Sequence, residues 1–195
     1  MSVPAAHTIR LATAADAAAV AAIYAPYVRD TAISFETEPP DPAEMARRIG
    51  SVGERYPWLV AADAAGLLGY VYAGEHRVRA AYRWDADVAV YLDPRAHRRG
   101  IGSTLYRRLF ALLRAQGYVN AYAGIALPNA ASVGLHQALG FQPVGVYREV
   151  GYKHGAWHDV GWWGLRLQPA PARPAEPVPL PGLDRAVIAR AMAAA

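Results

Sequence analysis

The sequence predicts a mixed α/β domain, a single sheet flanked by helices, and three observations predict it. First, 54% of the 195 residues are hydrophobic, enough to bury one sizeable core, so one domain is expected. Second, the hydrophobic period switches repeatedly, giving a β-hairpin and then the order strand, helix, strand, helix, strand. Third, strands and helices alternate only in part, which fits a mixed sheet better than a doubly wound dinucleotide fold.

Each element has a local reason. "HTIRLAT" reads as a short first strand. Thr13 and Asp16 stand at capping-box spacing, and alanines with Ile23 at helical period carry a helix through Asp30. Asp41 as cap and Pro42 at the first position start a second helix, "PAEMARRIGSV". "WLVAAD", the turn "AAG" and "LLGYVYAG" form a hairpin of buried strands, and the loop "EHRVRAAYRW" leads to the strand "DADVAVYL". A helix "STLYRRLFALLRAQG" ends at Gly117, the strand "NAYAGIAL" follows, and Asn129 caps a helix that ends at Gly140. Strands around "FQPVGVYREVGY" and "HDVGWWGLRL" complete the domain. Residues 1–8 are expected to be a flexible N-terminus, 9–167 the domain, and 168–195 a proline-rich extended tail with a short terminal helix. No internal repeat is visible.

Composition narrows the function. The net charge is +4, but the basic residues are scattered arginines with Lys153 as the one lysine, a pattern that argues against a nucleic-acid partner. With no cysteine, disulfides, thiolate metal sites and cysteine nucleophiles are excluded. "MSVPAAHTIR" lacks a charged region before an apolar core, and no window approaches the ~18 apolar residues of a membrane span. A soluble, cytoplasmic protein is therefore expected, with no membrane partner. His154 and His158 stand at i, i+4, but the glycines around them and the strand expected there spoil a helical ligand pair. No metal site is expected.

The stretch "HRRGIG" carries the clearest chemistry. Gly100 and Gly102 leave backbone N–H groups free of side-chain cover, and the following helix adds the positive end of its dipole. Arg98 and Arg99 can add charge-assisted bonds, so a pyrophosphate fits there. An ordinary strand-to-helix turn with solvated arginines would read similarly. The spacing is neither that of the phosphate loop of nucleotide hydrolases nor the three-glycine dinucleotide fingerprint.

"HRRGIG" resembles the acetyl-CoA pyrophosphate loop of the GNAT superfamily of N-acetyltransferases. With "ERYPWLVA", "YAGEHRVRAAYRWDADVAVYLDPR", "GIGSTLY", "LPNAASVGLHQALGF" and "GYKHGAWHDVGWW", the stretch from Ile9 to Leu167 resembles the phosphinothricin N-acetyltransferase branch. The resemblance implies acetyl-CoA as cosubstrate, its pyrophosphate on the amides of Arg98, Arg99, Gly100, Ile101, Gly102 and Ser103. It implies a pantetheine arm along Val90, Tyr91 and Leu92, and a bond from Asn129, which could equally be a plain helix cap.

Transfer to an amine needs a base, because a primary ammonium is mostly protonated at neutral pH. Asp87 stands where a loop enters the apolar strand "VAVYL", so partial burial would raise its pKa, and it matches the place of the family's catalytic glutamate. It is an aspartate here, one methylene shorter, which a proton path through water would tolerate better than direct contact. His136 lies seven residues after Asn129, near two helical turns, so the two share a face. The resemblance implies an acid or base role for it, with a core histidine as the alternative. Arg77, Arg79 and Tyr82 match the acceptor loop, with Phe35 as an apolar wall. The acceptor implied is a small amino acid such as phosphinothricin, methionine sulfoximine or methionine sulfone, attacking directly in a ternary complex. A homodimer is implied too, with Trp157, Trp162 and Trp163 at its interface or in the core. Two other readings remain: the same fold with another amine acceptor, such as a protein N-terminus or an antibiotic, and a catalytically idle acetyl-CoA-binding module.

Overall fold

The computed structural model describes residues 7–193. A seven-stranded sheet runs in the order β1-β2-β3-β4-β5-β7-β6. Its strands are β1 (Thr8–Leu11), β2 (Trp58–Asp63), β3 (Gly66–Glu75), β4 (Asp85–Leu92), β5 (Asn120–Leu127), β6 (Gln142–Lys153) and β7 (Ala156–Arg166). Helices α1 (Ala17–Asp30) and α2 (Pro42–Gly53) cover one face, and α3 (Ile101–Gln116) the other; α4 (Ala130–Ala138) and α5 (Arg185–Ala193) complete the fold. Of the expected flexible N-terminus, residues 1–6 lie outside the described residues, and Thr8 already belongs to β1.

Burial on both faces explains the unbroken apolar run of β2. Trp58 and Val60 pack with Val20, Val28 and Met45 on the α1/α2 side, while Leu59 and Ala61 pack with Leu105, Leu109 and Leu113 of α3. The expected caps are present. Asp41 accepts the Glu44 N–H at 2.8 Å, and Asn129 accepts the Ser132 N–H at 3.0 Å. The Asp16 carboxylate accepts the Thr13 N–H at 2.8 Å and a two-pronged Arg10 at 2.6 and 2.7 Å. α3 starts two residues before the expected Ser103, because Gly100 adopts φ +77° and turns the chain directly into the helix. β7 starts at Ala156, not at the expected His158. His154 and Gly155, at φ +52° and +77°, make a two-residue hairpin turn between β6 and β7.

The tail from Gln168 packs onto the domain. The Val178 N–H donates to the Gln116 carbonyl at 2.8 Å, and the Leu180 N–H to the Arg55 carbonyl at 3.0 Å. The Gln116 amide donates to both the Arg55 and Val178 carbonyls, at 2.7 and 2.9 Å. Leu180 and Ala191 are buried in the α3 core. No helix of the described residues is long and apolar enough to cross a membrane.

Candidate active site

β4 and β5 are the one parallel pair among the described residues, and they are in register only at Asp85, Ala86 and Asp87. Beyond Asp87 the strands part. β4 stays paired with β3 as far as Leu92, and β5 stays paired with β7, so the split leaves one edge of β4 open. The Asp93 N–H donates to the Leu68 carbonyl of β3 at 2.9 Å. Strand alternation then turns the backbone groups of Leu92 and Val90 toward the gap. The Leu92 carbonyl there takes the Tyr27 hydroxyl at 2.7 Å.

Val90, Tyr91, Asn129 and His136 of the expected set line this cleft together. Tyr91 is held in place edge-on by Tyr24 and Tyr27, with ring centroids 4.8 and 5.2 Å away. At the far end of β4, a short turn at Pro94–Ala96 leads into the glycine loop, where Arg98 and Gly100 both have positive φ. Within α3, Thr104 is the first residue whose N–H finds a backbone acceptor, the Gly100 carbonyl at 3.0 Å. The amides of Gly100, Ile101, Gly102 and Ser103 have no partner among the described residues. They form a cluster of donors at a helix N-terminus, suited to phosphate oxygens.

Asp87 stands where the two strands part, and it lines a cavity of about 310 Å³ with Phe35, Tyr72, Gly124 and Trp162. Burial pushes its pKa up, partly offset by a hydrogen bond from His76. His76 Nδ1 lies 2.6 Å from Asp87 Oδ1. Phe35 closes this cavity against β6, where a side chain at Gly151 would collide with its ring. Lys153, buried on the same hairpin, donates to the Val28 and Ser34 carbonyls at 2.5 and 2.7 Å and so ties β6 to the segment that carries Phe35.

The other residues expected to hold the acceptor are not gathered around Asp87. Arg77, Arg79 and Tyr82 line a separate cavity of about 530 Å³, shared with Arg55, Asp85 and Glu176. Arg77 links the two, with its guanidinium 5.3 Å from the centre of a Trp162 ring. Trp162 Nε1 is buried without a hydrogen-bond partner among the described residues.

His136 is buried, and both ring nitrogens are engaged. Nδ1 lies 2.7 Å from the Ser132 carbonyl, and Nε2 lies 2.9 Å from the Tyr106 hydroxyl. A carbonyl can only accept, so Nδ1 carries the proton and Nε2 accepts from Tyr106. Burial pulls the imidazole pKa down, which favours the neutral ring. Sequence reasoning did not single out Tyr106 or His76. Tyr106 sits on the helical face that a core residue would occupy. His76 reaches Asp87 diagonally across the β3–β4 hairpin, whose register pairs Gly74 with Asp87. That register is a signal the hairpin pattern holds. His154 and His158 turn to different carbonyls, of Thr31 and Lys153.

Comparison with known proteins identifies the family. Residues 9–162 match the acetyltransferase (GNAT) domain family. A phosphinothricin N-acetyltransferase of Streptomyces viridochromogenes is 46% identical over 171 residues, 87% of this chain and 93% of its own. An L-methionine sulfoximine/L-methionine sulfone acetyltransferase of Pseudomonas aeruginosa is 36% identical over 86% of this chain and 98% of its own. Among solved structures, a phosphinothricin acetyltransferase of Sinorhizobium meliloti in complex with acetyl-CoA superposes with a TM-score of 0.82 at 37% identity, covering 88% of this chain and 95% of that one. The chain belongs to the GNAT family of acetyltransferases, within its phosphinothricin N-acetyltransferase-like branch.

Proposed function

We propose that the chain transfers the acetyl group of acetyl-CoA to the amino group of a small amino acid of the phosphinothricin, methionine sulfoximine or methionine sulfone type. The observation that carries this reading is the split between β4 and β5, with a carboxylate where the strands part and unpaired amides at the far end. Bound acetyl-CoA supplies an activated acetyl thioester; everything else is done by this chain. The amides of Arg98, Gly100, Ile101, Gly102 and Ser103 hold the pyrophosphate, aided by the Arg98 and Arg99 side chains, while the Arg99 N–H itself is spent on the Ala96 carbonyl at 3.4 Å. The open edge of β4 from Val90 to Leu92 takes the pantetheine arm as an added strand. The Val90 amide is placed to polarise the thioester carbonyl. Asn129 spends its side-chain oxygen on the Ser132 N–H, which leaves its NH₂ free for the arm.

Asp87 takes the proton from the acceptor's ammonium, directly or through water. Phe35 packs the acceptor's apolar stem. Arg77, held over the Trp162 ring, faces an anionic or sulfone head, with Arg79 and Tyr82 behind it. His136 acts by holding the Tyr106 hydroxyl in place on the cleft wall.

The reading is tested by CoA-thiol release from acetyl-CoA against phosphinothricin, methionine sulfoximine, methionine sulfone, common amino acids and spermidine. Saturable release confined to the anionic and sulfone-headed amino acids is expected. Equal release with spermidine would overturn the acceptor assignment.

The pyrophosphate site has its own test. A Cβ at Gly102 would lie 3.3 Å from Leu135 and 3.4 Å from Leu92, so a branched side chain there displaces the start of α3. Gly102→Val is expected to weaken acetyl-CoA binding by about tenfold or more, equivalent to about 1.4 kcal/mol. Calorimetric titration with acetyl-CoA reads this directly, and the acceptor KM should change little.

We also propose a homodimer through β6. This strand is the sheet's edge, and it exposes Val144, Val146, Tyr147, Val150 and Tyr152, with Trp157 beside them. An unpaired edge with that much apolar surface is a hazard unless it is covered. Sedimentation is expected to give twice the mass of one chain, and Val146→Arg to give one.

A further inference from the structure

The resemblance places Asp87 where the family carries a glutamate, so this carboxylate is one methylene short of the reach expected there. His76, from the loop after β3, stands directly against it. Its Nδ1 lies 2.6 Å from Asp87 Oδ1. The imidazole is stacked on Tyr122 with centroids 4.4 Å apart, and it meets Trp162 and Tyr82 edge-on at 6.1 Å each. Contacts on three sides fix the plane of the ring, and with it the direction of Nδ1. The other Asp87 oxygen has no partner among the described residues, and it is not one of the buried polar atoms left unpaired. It is therefore open to the cavity that Asp87 lines with Phe35.

We infer that His76 is the positioning residue of the proton acceptor: its Nδ1–H fixes one oxygen of Asp87 so that the other is presented to the acceptor amine. This rests on the reading of Asp87 as that acceptor. The bond does two things. It removes the rotational freedom that would let a short carboxylate turn away from the cavity. It also favours the ionised carboxylate, against the burial that disfavours it. The other groups that face the pair are Asp85 on β4, Arg77 on the loop, Tyr82 on the same loop, Tyr72 on β3 and Tyr122 on β5. Arg77 favours the ionised carboxylate and Asp85 disfavours it. Both are unchanged in the variants below.

The test compares His76→Phe, His76→Asn and Asp87→Asn in the full chain. Phenylalanine keeps the stacking and loses the donor, whereas asparagine offers an N–H near the place of Nδ1. His76→Phe is expected to lower kcat by about tenfold or more, with acetyl-CoA affinity unchanged. Its acid limb in the pH–rate profile should move up by about one pH unit, and His76→Asn should restore much of both. In ¹⁵N-resolved spectra the His76 Nδ1–H signal should stand far downfield in the wild type and collapse in Asp87→Asn. A His76→Phe profile that superposes on the wild type, or a missing downfield signal, would overturn the inference even if Asp87→Asn is inactive. Full activity in Asp87→Asn would instead bring down the reading of Asp87 on which it rests. If His76→Phe folds poorly, His76→Asn and the spectra decide.

Discussion

Asp87→Asn is expected to lower turnover about 10²–10⁴-fold, the usual weight of a positioned general base, while acetyl-CoA binding stays within a factor of about two. Asparagine is nearly isosteric. Its side-chain oxygen can still accept from His76, and the cavity wall around Phe35 and Tyr72 stays filled, so the change is one of basicity. The glycine loop lies beyond the far end of β4 and does not sense it. Stability should move the other way. Burial raises the folded-state pKa of Asp87 above its ordinary value, so the native state binds that proton more tightly than the unfolded chain does. Ionisation costs stability as pH rises through that range, and the cost is fully present once the pH stands above the folded-state pKa. Asparagine carries no such cost, so the melting temperature of Asp87→Asn at pH 7 should equal or exceed that of the wild type. A rate loss with no loss of stability separates a catalytic carboxylate from a structural one. Thiol-release kinetics beside thermal unfolding on the same preparations provide both numbers.

What could be read from the sequence divides by the distance over which each signal acts. The starts of α2 and α4 were legible because a cap acts within three residues: Asp41 on Glu44, Asn129 on Ser132. The end of α3 was legible because Gly117 adopts φ +97° immediately after the last helical residue. Across the β3–β4 hairpin, and across the 30 residues between Tyr106 and His136, partners are chosen by packing, and local pattern does not report them. The same holds for Lys153. Its ammonium is buried on carbonyls of α1 and of the segment after it, although the hairpin that carries it reads as polar turn. The divergence of β4 from β5 has no signature in either strand, because each remains paired on its other side. The residues proposed to hold the acceptor were legible as residue types but not as a single place. Phe35 and Asp87 share one cavity, while Arg79 and Tyr82 line the next. Resemblance supplied the ligand, and the geometry around it required the fold.

Removing residues 168–195 is expected to cost about 3–5 kcal/mol of stability, and so to lower the melting temperature by roughly 10 °C for a chain of this size. Composition makes this segment look dispensable, since prolines and small residues usually mark a linker. Its contacts argue otherwise. Leu180 and Ala191 are buried against the α3 core, and Ile188 and Met192 pack beside them. Gln116 is itself buried, and of its two bonds to carbonyls the one to Val178 would be lost. The tail also reaches the loop after β3, proposed above to hold the acceptor. The Trp84 indole donates to the Ala175 carbonyl at 2.8 Å, and Arg83 pairs with Glu176. Both anchors follow directly after Tyr82. Truncation should therefore raise the acceptor KM through a loosened loop, while acetyl-CoA affinity holds, because among the described residues the tail makes no hydrogen bond to the glycine loop or to β4. Leu180→Ala separates the two effects, since it should lose about 2–3 kcal/mol from the core and leave Trp84 on its carbonyl. A truncated chain that melted with the full one and kept its acceptor KM would make the tail a passenger. A loss of stability shared with Leu180→Ala, and a rise in KM that is not, would make it both a part of the core and a strap across the acceptor loop.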